Sequence, residues 1–453
     1  MNQQNLLVLL IGLFLFVCTY ELEAQEWTRF RGPNGNGITE SKVPVEFSAT
    51  KNLKWKSQLP GAGVSCPVLL KDRVFLTCYS GYGLDRQKPG DINDLKRHVL
   101  CINREDGKIR WQQTFDAVLP EDTYSGMGVP EHGYASHTPV TDGKHVFFFL
   151  GKSGVVAFDL EGKQLWQSSV GTGSDERRWG SASSPILVGD ALVIPAIAES
   201  SSIVALDKST GKEIWRQEVA GLQKSWSTPL EVKVDDQRSD IVIGVPGEVW
   251  GINPENGKLR WLCGDIPGDS FYTSLVEQNG VIYGSIGGRR GGGTFAIRAG
   301  GKGDVTESHL AWISPEQGSF GTPLATKKNL FVFARGVLNV FDTNTGELSE
   351  KSRLGQSSSS RGGRRGGFAS DYASPVLASN KLYYVRRSGD ILVLELDDKI
   401  KQVAVNRVTD ANDETFSASP SVGNGQLFVR SDKYLYCIEA KSENASSEFK
   451  PNP

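Results

Sequence analysis

Short runs of alternating apolar and polar residues recur along the whole chain, paired across polar turns. PILVGDALVIPAI (185–197), PVLASNKLYYVRR (375–387) and PSVGNGQLFVRS (420–431) each read as strand, turn, strand. A second strand pair hinges on a repeated phrase: INREDGKIRW (102–111), FDLEGKQLW (158–166), LDKSTGKEIW (206–215) and INPENGKLRW (252–261). In each copy an Asp or Asn side chain opens the turn, a Gly closes it in the left-handed conformation, and a Trp follows four residues later. The Gly-to-Gly steps are 55, 49 and 46 residues, a period that marks a repeat architecture.

Two further features complete the count. FDTNTGELSE (341–350) keeps the turn from Asp342 to Gly346 but carries Glu350 where Trp would stand, and Trp312 closes a loosened fifth copy. Upstream of each copy a strand opens on Pro67, Pro139, Pro185, Pro229, Pro323, Pro375 or Pro420, with Ser274 standing in once. Proline suits the first residue of a strand, where its missing N–H removes no ladder bond. Eight markers head eight units of four antiparallel strands, which predicts an all-β, eight-bladed β-propeller. The last unit (420–440) has three strands, and NLKWKSQLP (52–60) has no unit of its own. The N-terminal strand is therefore expected to complete the eighth blade and leave no open edge.

The Asp-x-x-x-Gly-x-x-x-Trp copies resemble the tryptophan-docking repeats of the pyrroloquinoline-quinone (PQQ)-like propellers. That superfamily includes quinoprotein alcohol dehydrogenases and the outer-membrane assembly factor BamB. WTRFRGPNGNGI (27–38) resembles the lead-in of secreted PQQ-like propellers of unassigned role. The likeness covers roughly residues 27–440; it specifies a fold far more than a function.

Length and composition fit one ring: 453 residues, 51 of them Gly, serve eight blades with many tight turns. Net charge is −2, and both excess carboxylates (Glu21, Glu23) lie in the first 24 residues. A balanced remainder argues against bulk attraction to nucleic acid. Residues 6–20 are a continuous apolar run, short for a membrane span and suited to a signal peptide cut after Ala24. An uncleaved anchor or a lipid on Cys18 are the alternatives; Val17 stands where a lipobox wants a small residue. The expected organisation is a signal peptide (1–24), a lead-in (25–51), the propeller (52–440) and a disordered tail (441–453), in a periplasmic or secreted monomer. Cys66 and Cys78 flank the turn at Asp72 and could form a disulfide or remain buried thiols; Cys101 and Cys437 occupy the strand place of Ala205. The absence of Cys-x-x-Cys-His excludes an attached c-type haem.

The resemblance implies where quinone chemistry would sit, but this chain has no vicinal cysteine pair and no Asp or Glu that maps onto a catalytic base or calcium ligand. DANDE (410–414) reads as a solvated turn, and the five His show no metal-ligand spacing; His132 and His137 read as surface or turn residues. No cofactor is expected, PQQ with calcium belonging to the alternative reading. One rim departs from regularity. Lys152, Arg289, Arg290, Arg335, Arg386, Arg387 and Arg430 recur at the loop between second and third strands. Insertions at 80–97, 115–135 and 356–368 open on the same face, the last carrying Arg361, Arg364 and Arg365. Arginine forks on long loops suit carboxylate or phosphate groups, so the face is expected to take an anionic ligand or an acidic protein partner. Aromatics precede the strand-opening positions (Tyr134, Trp179, Trp226, Tyr272, Phe320, Tyr372, Phe416); Trp179 and Trp226 are the candidates for contact. The sequence reading is thus an exported, non-enzymatic binding scaffold, in the manner of BamB. A PQQ-dependent oxidoreductase and an acidic-glycan-binding propeller are the alternatives.

Overall fold

The computed structural model describes residues 26–218, 222–287, 291–355, 371–397 and 399–441. Eight sheets, each built on four antiparallel strands, stand radially in a ring. In blade 1 the order from the channel outward is Val68–Leu70, Arg73–Ser80, Lys96–Asn103 and Ile109–Asp116. Blades 2 to 7 repeat that order over 140–168, 186–218, 230–263, 276–314, 324–353 and 376–406. Middle strands are buried on both faces because each blade is sandwiched between neighbours, and the apolar clusters bridge adjacent blades. Phe75 and Val99 of blade 1, for example, pack with Phe148, Val156 and Phe158 of blade 2. Outer strands such as Ile109–Asp116 are largely solvated, which is why their apolar pattern is weak.

Leu53–Gln58 forms the outer strand of blade 8, antiparallel to Tyr434–Glu439, so the first strand closes the ring as the count of units implied. Trp55 sits opposite Cys437, as Trp111 sits opposite Cys101 and Trp215 opposite Ala205. Glu350 holds the equivalent place in blade 6, opposite Val340.

Each repeated Trp locks its blade to the next. The indole N–H of Trp55, Trp111, Trp166, Trp215 and Trp312 donates to a turn carbonyl one blade on, at 2.8–3.0 Å. The ring lies against that turn's glycine, for instance Trp166 on Gly211. Glycine is needed there twice over, because φ is +70° and a Cβ would stand 2.5 Å from Trp166 Cε3. Trp261 departs from this pattern. No docking turn follows it; instead Gly303–Asp304 pairs alongside its strand. The indole turns inward, fully buried, donates to Asp240 Oδ2 at 2.8 Å, and covers Gly251, whose missing Cβ makes the room.

The lead-in spans the channel end opposite the long loops. Trp27 and Thr28 carbonyls accept from Leu69 of blade 1 and Thr141 of blade 2, Ile38–Thr39 pairs in parallel with Val376–Ala378 of blade 7, and Ser41 accepts from Gly425 of blade 8. Arg31, buried, donates to the carbonyls of Gly35, Asn36, Pro323 and Pro375. Burial without a carboxylate lowers its guanidinium to about 9. The segment is a stopper, and it turns the channel into a cup with one mouth.

Candidate functional site

The cup has a volume of about 1590 Å³ with Phe30 of the lead-in among its lining residues. Its waist is a ring of eight residues, one per blade, each the residue at the strand-opening marker. The backbone N–H of Cys66 donates to Thr138 Oγ1, Thr138 to Ser184 Oγ, Ser184 to Thr228 Oγ1, and Thr228 to Ser274 Oγ, at 2.9–3.0 Å. The series continues through Thr322, Ser374 and Ser419 at 2.8–3.0 Å, and Ser419 faces the Cys66 sulfur to close the circle. An inner strand has no neighbour on its channel side, so its N–H groups need partners, and the next blade's hydroxyl supplies one. The Ser/Thr-Pro marker is therefore a fold element and also the cup's polar waist. Cys66 and Cys78 are both free buried thiols, with burial raising each and the Arg430 guanidinium lying 3.5 Å from Cys78 Sγ; they do not form the disulfide that their spacing allowed.

Above the waist, five aromatics from successive blades make a continuous arc. Trp179–Trp226, Trp226–Tyr272, Tyr272–Phe320 and Phe320–Tyr372 have ring centroids 4.7–5.5 Å apart, and two of these pairs are stacked. Faces are spent on one another, so the arc offers mostly ring edges and polar tips to the cup. Its ends are covered by guanidiniums: Arg177 lies 4.9 Å from the Trp179 ring, and Arg387 lies 5.5 Å from the Tyr372 ring. Tyr134 and Phe416 are not in the arc. Tyr134 packs with Tyr79, Tyr82 and Tyr124, while Phe416 is buried beside Tyr436.

The insertions of blade 1 bridge the mouth. Helix Val129–His132 brings Glu131 to Arg387 of blade 7 (2.5 Å) and Arg86 (3.5 Å), and its N-terminal Gly128 rests on Trp179. These two arginines outweigh burial and hold the Glu131 carboxyl below its usual range. Lys152 secures the same segment, donating to the Pro120 carbonyl at 2.7 Å and to Ser174 Oγ at 2.8 Å.

Beneath this bridge lies a second, small cavity of about 30 Å³. There Arg97 pairs with Glu121 at 2.8 Å, both buried, and Ser181 lies between Glu199 and His137, whose Nε2 is 2.9 Å from Ser181 Oγ. Burial pushes the Glu199 carboxyl up to about 7 and His137 down to about 3. The acid meets the serine and not the imidazole, so this is no nucleophilic triad. Of the two histidines expected in surface or turn positions, His137 is buried, while His132 ends the short helix half-buried, lines the cup and holds Trp179 O at 2.7 Å.

The rim cations part into two groups. Arg430 is buried between blades 8 and 1, donating to Ser65 O and Thr77 O at 2.8 Å, and Arg386 donates to Gly355 O at 3.0 Å. Both are inter-blade fasteners, as Lys152 is, and correct the expectation of a ligand-facing role: a long side chain leaving a turn can fold back into the seam. Arg335 lines the cup and Arg387 its edge, as do Trp179 and Trp226. Arg289, Arg290, Arg361, Arg364 and Arg365 lie outside the described residues. Arg177, which the sequence reading passed over, also lines the cup; its one signal was its place two residues before Trp179. Among the described residues, no group of three or more His, Cys, Asp or Glu converges to hold a metal ion.

A closed ring of eight blades locked by tryptophans on glycine turns defines a PQQ-like β-propeller. The family model described as outer membrane protein assembly factor BamB matches residues 55–244 and 199–447, and the chain belongs to this PQQ-repeat family. Curated relatives include the quinoprotein alcohol dehydrogenase PedH of Pseudomonas putida, 28% identical over 37% of this chain and 30% of that protein. The polyvinylalcohol dehydrogenase of a Sphingopyxis species is 24% identical over 56% and 42%, and BamB of Burkholderia pseudomallei is 28% identical over 29% and 30%. The matches thus span less than half of each relative. BamB of Moraxella catarrhalis superposes with a TM-score of 0.56 at 13% identity, covering 85% of this chain and 99% of that one. The designed protein Ika8 gives 0.51 at 13%, covering 84% and 98%.

Proposed function

We propose that this protein is an envelope-associated binding scaffold that takes its ligand or partner at the mouth of the cup. The observation that carries this reading is the blind, polar-waisted cup with a rigid aromatic and cationic wall. A preformed concavity on a closed ring suits recognition, since its walls need not reorganise on binding. Likeness to BamB supports an envelope location and a part in outer-membrane protein assembly, by analogy of fold.

The quinoprotein alternative asks for a calcium site and a stack around a flat cofactor. Three carboxylates line the cup: Glu131, held by Arg86 and Arg387; Glu316, held by Lys351 at 3.0 Å; and Asp269, on the connection into blade 5. Among the described residues, no three acidic, His or Cys side chains converge to hold a metal ion. The aromatic faces are occupied by one another. This donor set does not fit a calcium–quinone pair.

The test is capture from envelope extract on immobilised full-length protein, comparing the unaltered chain with Trp226→Ala combined with Arg335→Ala. The scaffold reading expects a bound component that the mouth variant loses and that Lys327→Ala, on the far turns, retains. Equal capture by both variants would overturn it.

A further inference from the structure

Resting on the reading of the cup as a binding site, we propose that its ligand is an acidic oligosaccharide, with Arg177 receiving a carboxylate or sulfate of the sugar chain. Arg177 is held ready from two sides: it lies over Trp179, and its Nη1 donates to Tyr272 Oη at 3.0 Å. No carboxylate among the described residues pairs with it, so the remainder of its planar fork faces the cup. A fork fixed in this way accepts an anion with little further ordering. The ionisable lining has the matching sign. Arg86, Arg177, Arg335 and Lys351 stand against Glu131, Asp269 and Glu316.

The rest of the wall selects for a hydroxyl-rich chain. The waist supplies a ring of side-chain hydroxyls that both donate and accept. On blade 6, three blades from Arg177, Asn339 is 2% exposed and lines the cup with an Oδ1 that has no partner. A buried carbonyl left unpaired costs free energy that a ligand O–H recovers. Sugar hydroxyls meet this demand along a chain, and about 1590 Å³ accommodates several residues. A peptide is the weaker fit. The innermost strands are two to four residues long, and that of blade 7 is already paired by Ile38–Thr39, so the cup offers little edge for strand addition. A flat aromatic ligand is weaker still, because the ring faces are taken.

Calorimetric titration of the full-length protein tests this with three probes: a galacturonate hexamer, its carboxyl-reduced counterpart, and a sulfated galactan hexamer. The proposal expects binding of at least one acidic hexamer and none of the neutral one. Which acidic probe binds tells carboxylate from sulfate. Arg177→Ala should weaken that binding about ten- to a hundredfold and flatten its salt dependence. Arg177→Lys should recover part of it, and Asn339→Leu should weaken it about tenfold. An unchanged thermal midpoint shows that each variant is folded. Failure of both acidic probes, equal binding of the neutral hexamer, or indifference to Arg177→Ala overturns the inference. Mouth-dependent capture of a protein component in the extract experiment, with no saccharide binding, would leave the scaffold reading standing and remove the saccharide alone.

Discussion

The docking of a tryptophan on a glycine turn predicts a large and separable cost for one methyl group. Gly211→Ala places a Cβ 2.5 Å from Trp166 Cε3 and 2.7 Å from Ser168 Oγ, in a residue held at φ +70°. The left-handed conformation alone costs a non-glycine residue roughly 1–2 kcal/mol. Forcing the indole aside adds overpacking of about 1–3 kcal/mol and threatens the Trp166 Nε1–Lys208 O bond of 3.0 Å, another ~1 kcal/mol. The sum is roughly 3–6 kcal/mol. Gly189→Ala is the control, because Gly189 has φ +59° yet a Cβ there meets nothing within 4 Å. It should cost only the conformational part, about 1–2 kcal/mol. Urea unfolding followed by circular dichroism gives both values. Trp166→Ala in the Gly211→Ala background should remove the clash, so the pair should be strongly non-additive. Equal losses for Gly211→Ala and Gly189→Ala, or simple additivity with Trp166→Ala, would refute the docking account.

Arg430→Met should lower the urea midpoint, costing roughly 3 kcal/mol, because the Ser65 and Thr77 carbonyls at the closing seam lose their buried donor; an unchanged midpoint would show that the seam holds without it. Glu199 predicts a pH dependence of stability. Its folded carboxyl is raised to about 7 from an ordinary 4.5, so the unfolded chain ionises first as pH rises. Stability is therefore lost between pH 4.5 and 7, by roughly 3 kcal/mol in all. Glu199→Gln should match the unaltered chain near pH 4.5 and exceed it at pH 8, read from urea midpoints. His137, lowered to about 3, acts oppositely, its contribution being lost as pH falls below 6.5; the comparison with Glu199→Gln cancels it.

The ring was legible because its rules are local. Gly107, Gly162, Gly211 and Gly257 each precede a Trp by four residues, and the residue before each strand-opening Pro is the one that later closes the waist. Even the decayed copy at Glu350 kept its register. Trp261 was not legible as an exception, although Gly251 in the place of an alanine was the available sign. The contacts of the rim residues were only partly legible. Lys152 and Arg386 lie at turns and Arg430 at the end of its strand, but their length lets them reach carbonyls inside the seam. The enclosed group of Arg97, Glu121, His137, Ser181 and Glu199 joins parts of the chain up to 102 residues apart, and no spacing rule connects them. Arg177 fails the turn rule because it sits in an irregular connection, where only contact with Trp179 and Tyr272 reveals its role.

The central proposal is that this PQQ-like ring binds a ligand or partner through its cup and does not run quinone redox chemistry. Incubating the full-length protein with PQQ and calcium, then separating free cofactor by gel filtration, tests it most directly. The account predicts that the quinone absorbance elutes apart from the protein and that dye-linked alcohol oxidation stays at the blank. Stoichiometric quinone retained with the protein, accompanied by turnover, would contradict it.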